Sequence, residues 1–202
     1  MSISPILPLT STRIKLIFSN LPQLTTPRLI LRKIVPSDAA DMYIYASDAA
    51  VTEFLPWNTH TSLMETQYYI ADLQRRYADG NYYDWGIQFR ENDCFIGTCG
   101  FTDISLAKNT AETGAVLSRS YWGRGIMAEA HMAIMRFGFN ELNLDKIEAR
   151  HYDGNDKSAV VMMKCGMEFD FTDIRKYKGE YKTMHTYVIS REKFETLFTS
   201  PH

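Results

Sequence analysis

Across 202 residues the chain carries 22 Lys and Arg against 24 Asp and Glu, a formal net charge of −2. That balance lacks the basic surplus of a general nucleic-acid binder, so no direct nucleic-acid partner is expected. Hydrophobic residues at 45% and charged residues at 23% exclude a disordered chain and suit one domain with a substantial core.

Residues 1–24 hold Arg13 and Lys15 inside their apolar stretch, which fits a signal peptide poorly. They are expected as an arm or extra strand packed on a domain spanning 25–202. A first strand is predicted at 29–34, and Pro36-Ser37-Asp38 starts a helix to about 46 with Ser37 as N-cap. Pro56, Trp57 and Asn58 mark a loop, and a longer helix over 63–78 stops at Asp79-Gly80-Asn81. Strands at 84–90 and 95–103, turned at Glu91-Asn92-Asp93, form a hairpin, and a third follows at 110–117. After a glycine loop come a helix at 126–139, a strand at 146–151, a short helix ended by Gly166, and strands at 168–176 and 181–190 turned at Lys178-Gly179-Glu180. This order predicts an α/β fold with a mixed sheet.

Cys94, Cys99 and Cys165 are odd in number and form no Cys-x-x-Cys pair, so neither disulfides nor a metal site is expected, and the expected location is cytoplasmic. No apolar run approaches the roughly 20 residues of a membrane span.

The most informative stretch runs from Ala115 through Tyr121-Trp122-Gly123-Arg124-Gly125 to Ala130. A strand enters a Gly-x-Gly loop that opens a helix, an arrangement in which backbone N–H groups and the helix dipole converge on an anion. Gly125 is followed by Ile126 and Met127 rather than Lys-Ser/Thr, which excludes a P-loop, and a third glycine for a dinucleotide fingerprint is missing. A lone Gly-x-Gly equally fits a tight turn into a helix. A second segment, Asn155 to Phe169, follows the 146–151 strand as a helix capped by Asn155 or Asp156.

The two segments, in this order, resemble the acyl-CoA core of the GNAT N-acetyltransferase superfamily. Leu24-Thr25-Thr26-Pro27-Arg28-Leu29-Ile30-Leu31-Arg32 and Tyr121-Trp122-Gly123-Arg124-Gly125 are similar to the RimJ/RimL-type branch, whose best-known members acetylate ribosomal-protein N-termini. The resemblance implies a single-domain, largely antiparallel mixed sheet flanked by helices and splayed near its fourth strand at the acyl-CoA cleft. It implies acetyl-CoA as cosubstrate, bound by the backbone of Val116, Leu117 and Ser118, by Gly123, Arg124, Gly125, Ile126, Met127 and Ala128, and by Asn155 and Ser158.

The resemblance further implies Glu112 as base, directly or through water, and Ser158 as proton donor to the leaving thiolate, against a solvated strand carboxylate and a helix N-terminal serine as the alternatives. The family's usual tyrosine acid is replaced by Met162, and its usual Gln or Arg before the loop by Ser120, so Arg124 is expected to supply charge. Trp57, Tyr82, Tyr83 and Trp85 are expected to line the acceptor cleft, and Cys165 is read as a small buried hydrophobe. An α-amine, with a pKa of about 7.7–8.0, is roughly a tenth unprotonated at pH 7, against well below a thousandth for lysine. A protein N-terminus is therefore the favoured acceptor. A small amine such as a polyamine or antibiotic, or a non-catalytic acyl-CoA sensor, are the alternatives, and monomer and homodimer both stay open.

Overall fold

The computed structural model describes residues 8–198. The chain begins with helix α1 (Ser11–Ser19) and strands β1 (Leu24–Thr25) and β2 (Leu29–Arg32). The described part of the expected N-terminal arm thus carries helix α1, and its last residue, Leu24, begins β1; its first seven residues lie outside the described ones. Thr10 caps the helix by accepting the Arg13 N–H at 3.2 Å, and Ile14 and Phe18, four apart on one face, are buried. Phe18 wedges against Tyr83, Trp85 and Phe137, which ties α1 into the main core.

A 3₁₀ turn at Pro36–Asp38 leads to α2 (Ala39–Ala46), followed by the unpredicted short α3 (Ala49–Thr52). Ser37 is not the cap that the sequence suggested: Asp38 accepts the Val35 N–H at 2.8 Å and is clamped by both terminal nitrogens of Arg32 at 2.8 Å. Helix α4 (Leu63–Asp79) starts at Ser62, which accepts the Glu65 N–H, and ends at Gly80 with φ of 66°. A Cβ at Gly80 would sit 2.3 Å from the Lys15 carbonyl, so the left-handed turn and the close approach of α1 both require glycine.

Strands β3 (Tyr83–Phe89), β4 (Phe95–Ser105) and β5 (Thr110–Leu117) form the predicted meander. Helix α5 (Ile126–Asn140), β6 (Lys146–Tyr152), α6 (Asp156–Lys164), β7 (Glu168–Tyr177) and β8 (Glu180–Ser190) follow, with α7 (Arg191–Phe198) unpredicted. The sheet order is β1-β2-β3-β4-β5-β6-β8-β7. All neighbours are antiparallel except β5 and β6.

That parallel pair is the feature that positions the site. It is laddered only from Thr110↔Lys146 to Thr113↔Ala149. Beyond it β5 stays on β4 to Leu117 and β6 stays on β8 to Tyr152, so the sheet splits open. The splay lies at the strand over 110–117, the fourth of the predicted strands, which is numbered β5 here because the short β1 precedes it.

Strand alternation fixes what each face carries. Trp85, Cys99 and Ala115 lie in one lateral row facing α1 and α5, where Trp85 meets Phe137 at 5.2 Å between ring centroids. Asp84, Gly100 and Gly114 form the next row and face α2 and α4, whose Tyr45 stacks on Phe95.

Candidate active site

One lip of the gap is the loop from β5 into α5. Gly123 and Gly125 have φ of 74° and 72°, values that L side chains rarely adopt. No side chain caps α5 at Gly125, so its first-turn N–H groups are presented to the loop. Trp122 anchors the loop by donating its indole N–H to Leu117 O at 2.7 Å.

The loop is also braced from the β1–β2 turn. Glu129, in the first turn of α5, accepts from the Thr26 hydroxyl at 2.6 Å, the Arg28 N–H at 2.9 Å and Arg28 Nε at 2.6 Å, while Arg28 Nη1 donates to Arg124 O at 2.9 Å. Burial works against the Glu129 charge, but these hydrogen bonds outweigh it and hold its pKa below the ordinary carboxylate value. Arg28 is thus a cation at the anion site that chemistry read from the sequence did not single out. Arg124, expected to supply charge, lies over the rings of Phe89 and Tyr121 at 5.2 and 5.3 Å.

The backbone expectation for β5 needs correction. The Ser118 N–H is already bonded to Ile96 O at 2.8 Å, and in an antiparallel ladder Val116, two residues earlier, points the same way. It is Ala115 and the Leu117 N–H that turn toward the gap.

The other lip is the start of α6 at the end of β6. Asn155 makes no side-chain capping bond, contrary to the capping alternative, and its amide is left for another partner. Ser158 N–H donates to Asn155 O at 3.0 Å, and Ser158 is half-buried. Met162, one turn on, is packed into the core at 6% exposure. Lys157 lies over the Trp122 ring at 4.2 Å, so the two lips touch across the splay. Cys165 is fully buried, its thiol pushed up to about 12 by burial, and donates weakly to Ala128 O.

On the α2/α4 face a cavity of about 180 Å³ opens onto β5, lined among others by Trp57, His60, Tyr69, Asp84, Thr98 and Gly114. Trp57 is among these lining residues. Tyr83 and Trp85 are not. Trp85 is 0% exposed and donates its indole N–H to Pro22 O at 2.7 Å, and Tyr83 packs on Phe18 at 4.6 Å. Both belong to the opposite face, and the residue between them, Asp84, reaches the cavity instead. Tyr82 is buried, its hydroxyl 3.3 Å from Asp84 Oδ2.

Of the carboxyl groups on this face, Glu112 and Glu148 face each other across the β5–β6 ladder and Asp84 stands apart on β3. Glu112 lies beside the point where β5 and β6 part, and its carboxylate pairs with Arg150 at 2.8 Å; burial raises its pKa, with Arg150 opposing. Asp84 has no ion-pair partner among the described residues, and its Oδ1 is enclosed without a hydrogen bond. Burial pushes it up to about 7, against the pull of the Thr98 and Tyr82 hydroxyls and the Trp85 N–H. Among the described residues no cluster could hold a metal ion and no helix is long and apolar enough to cross a membrane.

The acetyltransferase (GNAT) domain family matches residues 28–168 of the chain. The uncharacterized N-acetyltransferase p20 of Bacillus licheniformis is 30% identical over 173 residues, covering 85% of this chain and 97% of that protein. Among solved structures, a GNAT-family acetyltransferase from Bacillus anthracis superposes with a TM-score of 0.75 at 22% identity, covering 85% and 99% of the two chains. RimL, the ribosomal L7/L12 alpha-N-protein acetyltransferase solved with coenzyme A, superposes with a TM-score of 0.71 at 18% identity, covering 84% and 98%. At these identities the two structures show the fold alone.

Proposed function

The chain belongs to the GNAT acetyltransferase family, and from that premise we propose that it transfers acetyl from acetyl-CoA to the N-terminal α-amine of a protein by direct attack in a ternary complex. One observation carries the reading: the uncapped glycine-loop start of α5 stands at the mouth of the gap between β5 and β6. The loop suits a pyrophosphate, with Gly123 meeting no atom within 4 Å of an added Cβ and Arg28 bringing positive charge. The gap suits a slender amide-bearing arm, which Ala115 and the Leu117 N–H would bind, with Asn155 and Ser158 on the facing lip.

Acetyl-CoA supplies an activated thioester, so the protein's task is to orient an unprotonated amine and to manage protons. Ser158 in this proposal hydrogen-bonds the departing sulfur. Glu112, the base expected from the sequence, has its carboxylate engaged by Arg150, so here it holds that guanidinium beside the splay instead of meeting the amine.

The N-terminal acceptor is supported by the fold shared with RimL, named for such a reaction. The cavity of about 180 Å³ admits the end of a chain, and its size equally favours a second reading, a small free amine. An acceptor screen with acetyl-CoA, reading free thiol across N-terminal peptides, lysine peptides and small amines, tests both. Thiol release with none of them overturns the enzymatic reading.

A further inference from the structure

Resting on the acetyltransferase reading, we infer that Asp84 is the residue that receives the acceptor's ammonium group in the cavity and removes the proton it must lose before attack. The observation behind this is a cavity-lining carboxyl group with no ion-pair partner among the described residues, on which Arg76 acts only from a distance. Oδ2 has the Tyr82 hydroxyl at 3.3 Å, whereas Oδ1 is enclosed with no hydrogen-bond partner. An unpaired buried carboxylate is costly in a folded protein unless something completes it. A substrate ammonium does so, supplying both charge and donors.

Geometry gives that ammonium a path. The lateral row Asp84↔Gly100↔Gly114 runs from the carboxyl to the β5 edge of the gap. At strand spacings of about 4.8 Å the span is roughly 10 Å between the end Cα atoms. Both residues beyond Asp84 in the row are glycines. A Cβ on Gly100 would stand 2.7 Å from Asp84 Oδ1 and one on Gly114 2.6 Å from Thr102 Cγ2, so the glycines let the β3 backbone and Thr102 pack close, and the way from acid to gap is the cavity that Asp84 and Gly114 both line. An amine nitrogen held at Asp84 thus lies on the side of β5 from which the thioester carbonyl in the gap is approached.

No other cavity residue does this work. Around Asp84, burial pushes the phenols of Tyr45 and Tyr69 on α2 and α4 upward, and likewise Tyr77 and Tyr82, so all stay neutral. Burial lowers His60, which stays uncharged and shares a hydrogen bond with Thr66 at 2.8 Å. Arg76 lies over the Tyr82 ring at 4.6 Å, outside the residues lining the cavity. Among the described residues that line the cavity, Asp84 alone carries a carboxyl group.

The step balances as follows. The Asp84 carboxylate takes one proton from R–NH3⁺; the freed nitrogen lone pair forms the C–N bond to the acetyl carbonyl carbon, and the C–S bonding pair leaves on sulfur. The second N–H proton passes to the thiolate through Ser158 or water, and Asp84 returns its proton to solvent. With Asp84 at about 7, taking the proton of an α-amine at about 7.7–8.0 is uphill by a factor of roughly ten or less, and that of a lysine at about 10.4 by more than about a thousand. The acceptor class this favours is the α-amine.

Asp84→Asn keeps the shape and removes the charge, and acetyl-CoA calorimetry on the variant shows whether the fold and cofactor site persist. The test compares a panel of peptides with free and N-acetylated termini, titrated into CoA-loaded protein. The wild-type protein should bind the free amine at least tenfold more tightly, Asp84→Asn should lose that preference, and its turnover should fall at least 100-fold with acetyl-CoA affinity unchanged. A second measurement needs no variant: wild-type kcat/KM should rise with pH through a limb near 7. Equal wild-type affinity for free and acetylated termini, an unchanged preference in Asp84→Asn, or the 100-fold loss appearing in Glu112→Gln instead would overturn the inference. Absence of thiol release with every acceptor would defeat the enzymatic reading, while the binding comparison would still decide Asp84.

Discussion

Arg28 Nε stands 2.6 Å from Glu129 Oε2, joining the turn before β2 to the first turn of α5. The pair places a guanidinium beside the anion site and cancels a carboxylate that would otherwise repel a pyrophosphate. Arg28→Ala should therefore weaken acetyl-CoA binding about tenfold or more by calorimetry, and Arg28→Ala/Glu129→Gln should recover part of the loss. A pH signature accompanies it. The folded Glu129 pKa is depressed, so its contribution is present above the unfolded value of about 4.3 and is lost as pH falls through the lower folded value. The stability gap between wild type and Glu129→Gln, read by urea melts, should shrink below about pH 4.

Gly125 combines a φ of 72° with the N-cap position of α5. Asn and Asp both tolerate this backbone and cap helices, and they differ in charge. Gly125→Asn should thus retain most of the fold and part of the acetyl-CoA affinity, and Gly125→Asp should bind at least tenfold more weakly than Gly125→Asn. Equal affinities in calorimetry would mean that no anion sits at this helix start.

The two tryptophans separate core from cleft. Trp85 is fully buried against Phe18, Phe101 and Phe137, so Trp85→Ala should cost about 3–5 kcal/mol in chemical denaturation. Trp57 lines the cavity from an irregular loop; Trp57→Ala should cost much less stability and appear mainly as a raised KM for the acceptor.

What the sequence conveyed follows the range of the interactions concerned. The glycine loop was legible because positive φ is a local demand that glycine meets wherever it falls. The alternation of β3 was legible too, but a strand pattern names two faces without saying which one borders the cleft. Tyr83 and Trp85 alternate with Asp84, so the aromatic pair and the acid between them belong to opposite faces. An aspartate enclosed by aromatic residues in an apolar strand was the available signal. The partner of Glu112 is on β6, paired only once the parallel ladder forms, and the helix over 11–19 has just two buried residues, Ile14 and Phe18, too short a stripe to mark a helix by period alone.

Glu112→Gln tests the division of labour between the two carboxyls. Arg150 remains within 3.2 Å of Glu148 Oε2, so the variant should fold and bind acetyl-CoA. Turnover should fall by less than about tenfold, with the acidic limb of the pH profile preserved, because a group held by a guanidinium is poorly placed to take the substrate's proton. A loss of about 100-fold or more would return the base role to Glu112.

Ser158 occupies the first turn of α6 opposite the glycine loop, half-buried, with Met162 four residues on packed into the core. Met162 has no proton to give, so the hydroxyl of Ser158 is the candidate donor on that helix face. A hydrogen bond there strengthens as charge develops on the leaving thiolate, which makes it a transition-state interaction more than a binding one. Ser158→Ala should accordingly lower kcat about tenfold while leaving acetyl-CoA affinity within about twofold, and Ser158→Thr, which keeps the hydroxyl, should recover part of the rate. Thiols leave readily at neutral pH, which is why the expected loss is smaller than the usual general-acid effect of about 10²–10⁴. The comparison must be made under single-turnover conditions, where product release is removed from the rate. Full single-turnover activity in Ser158→Ala would assign the proton to water.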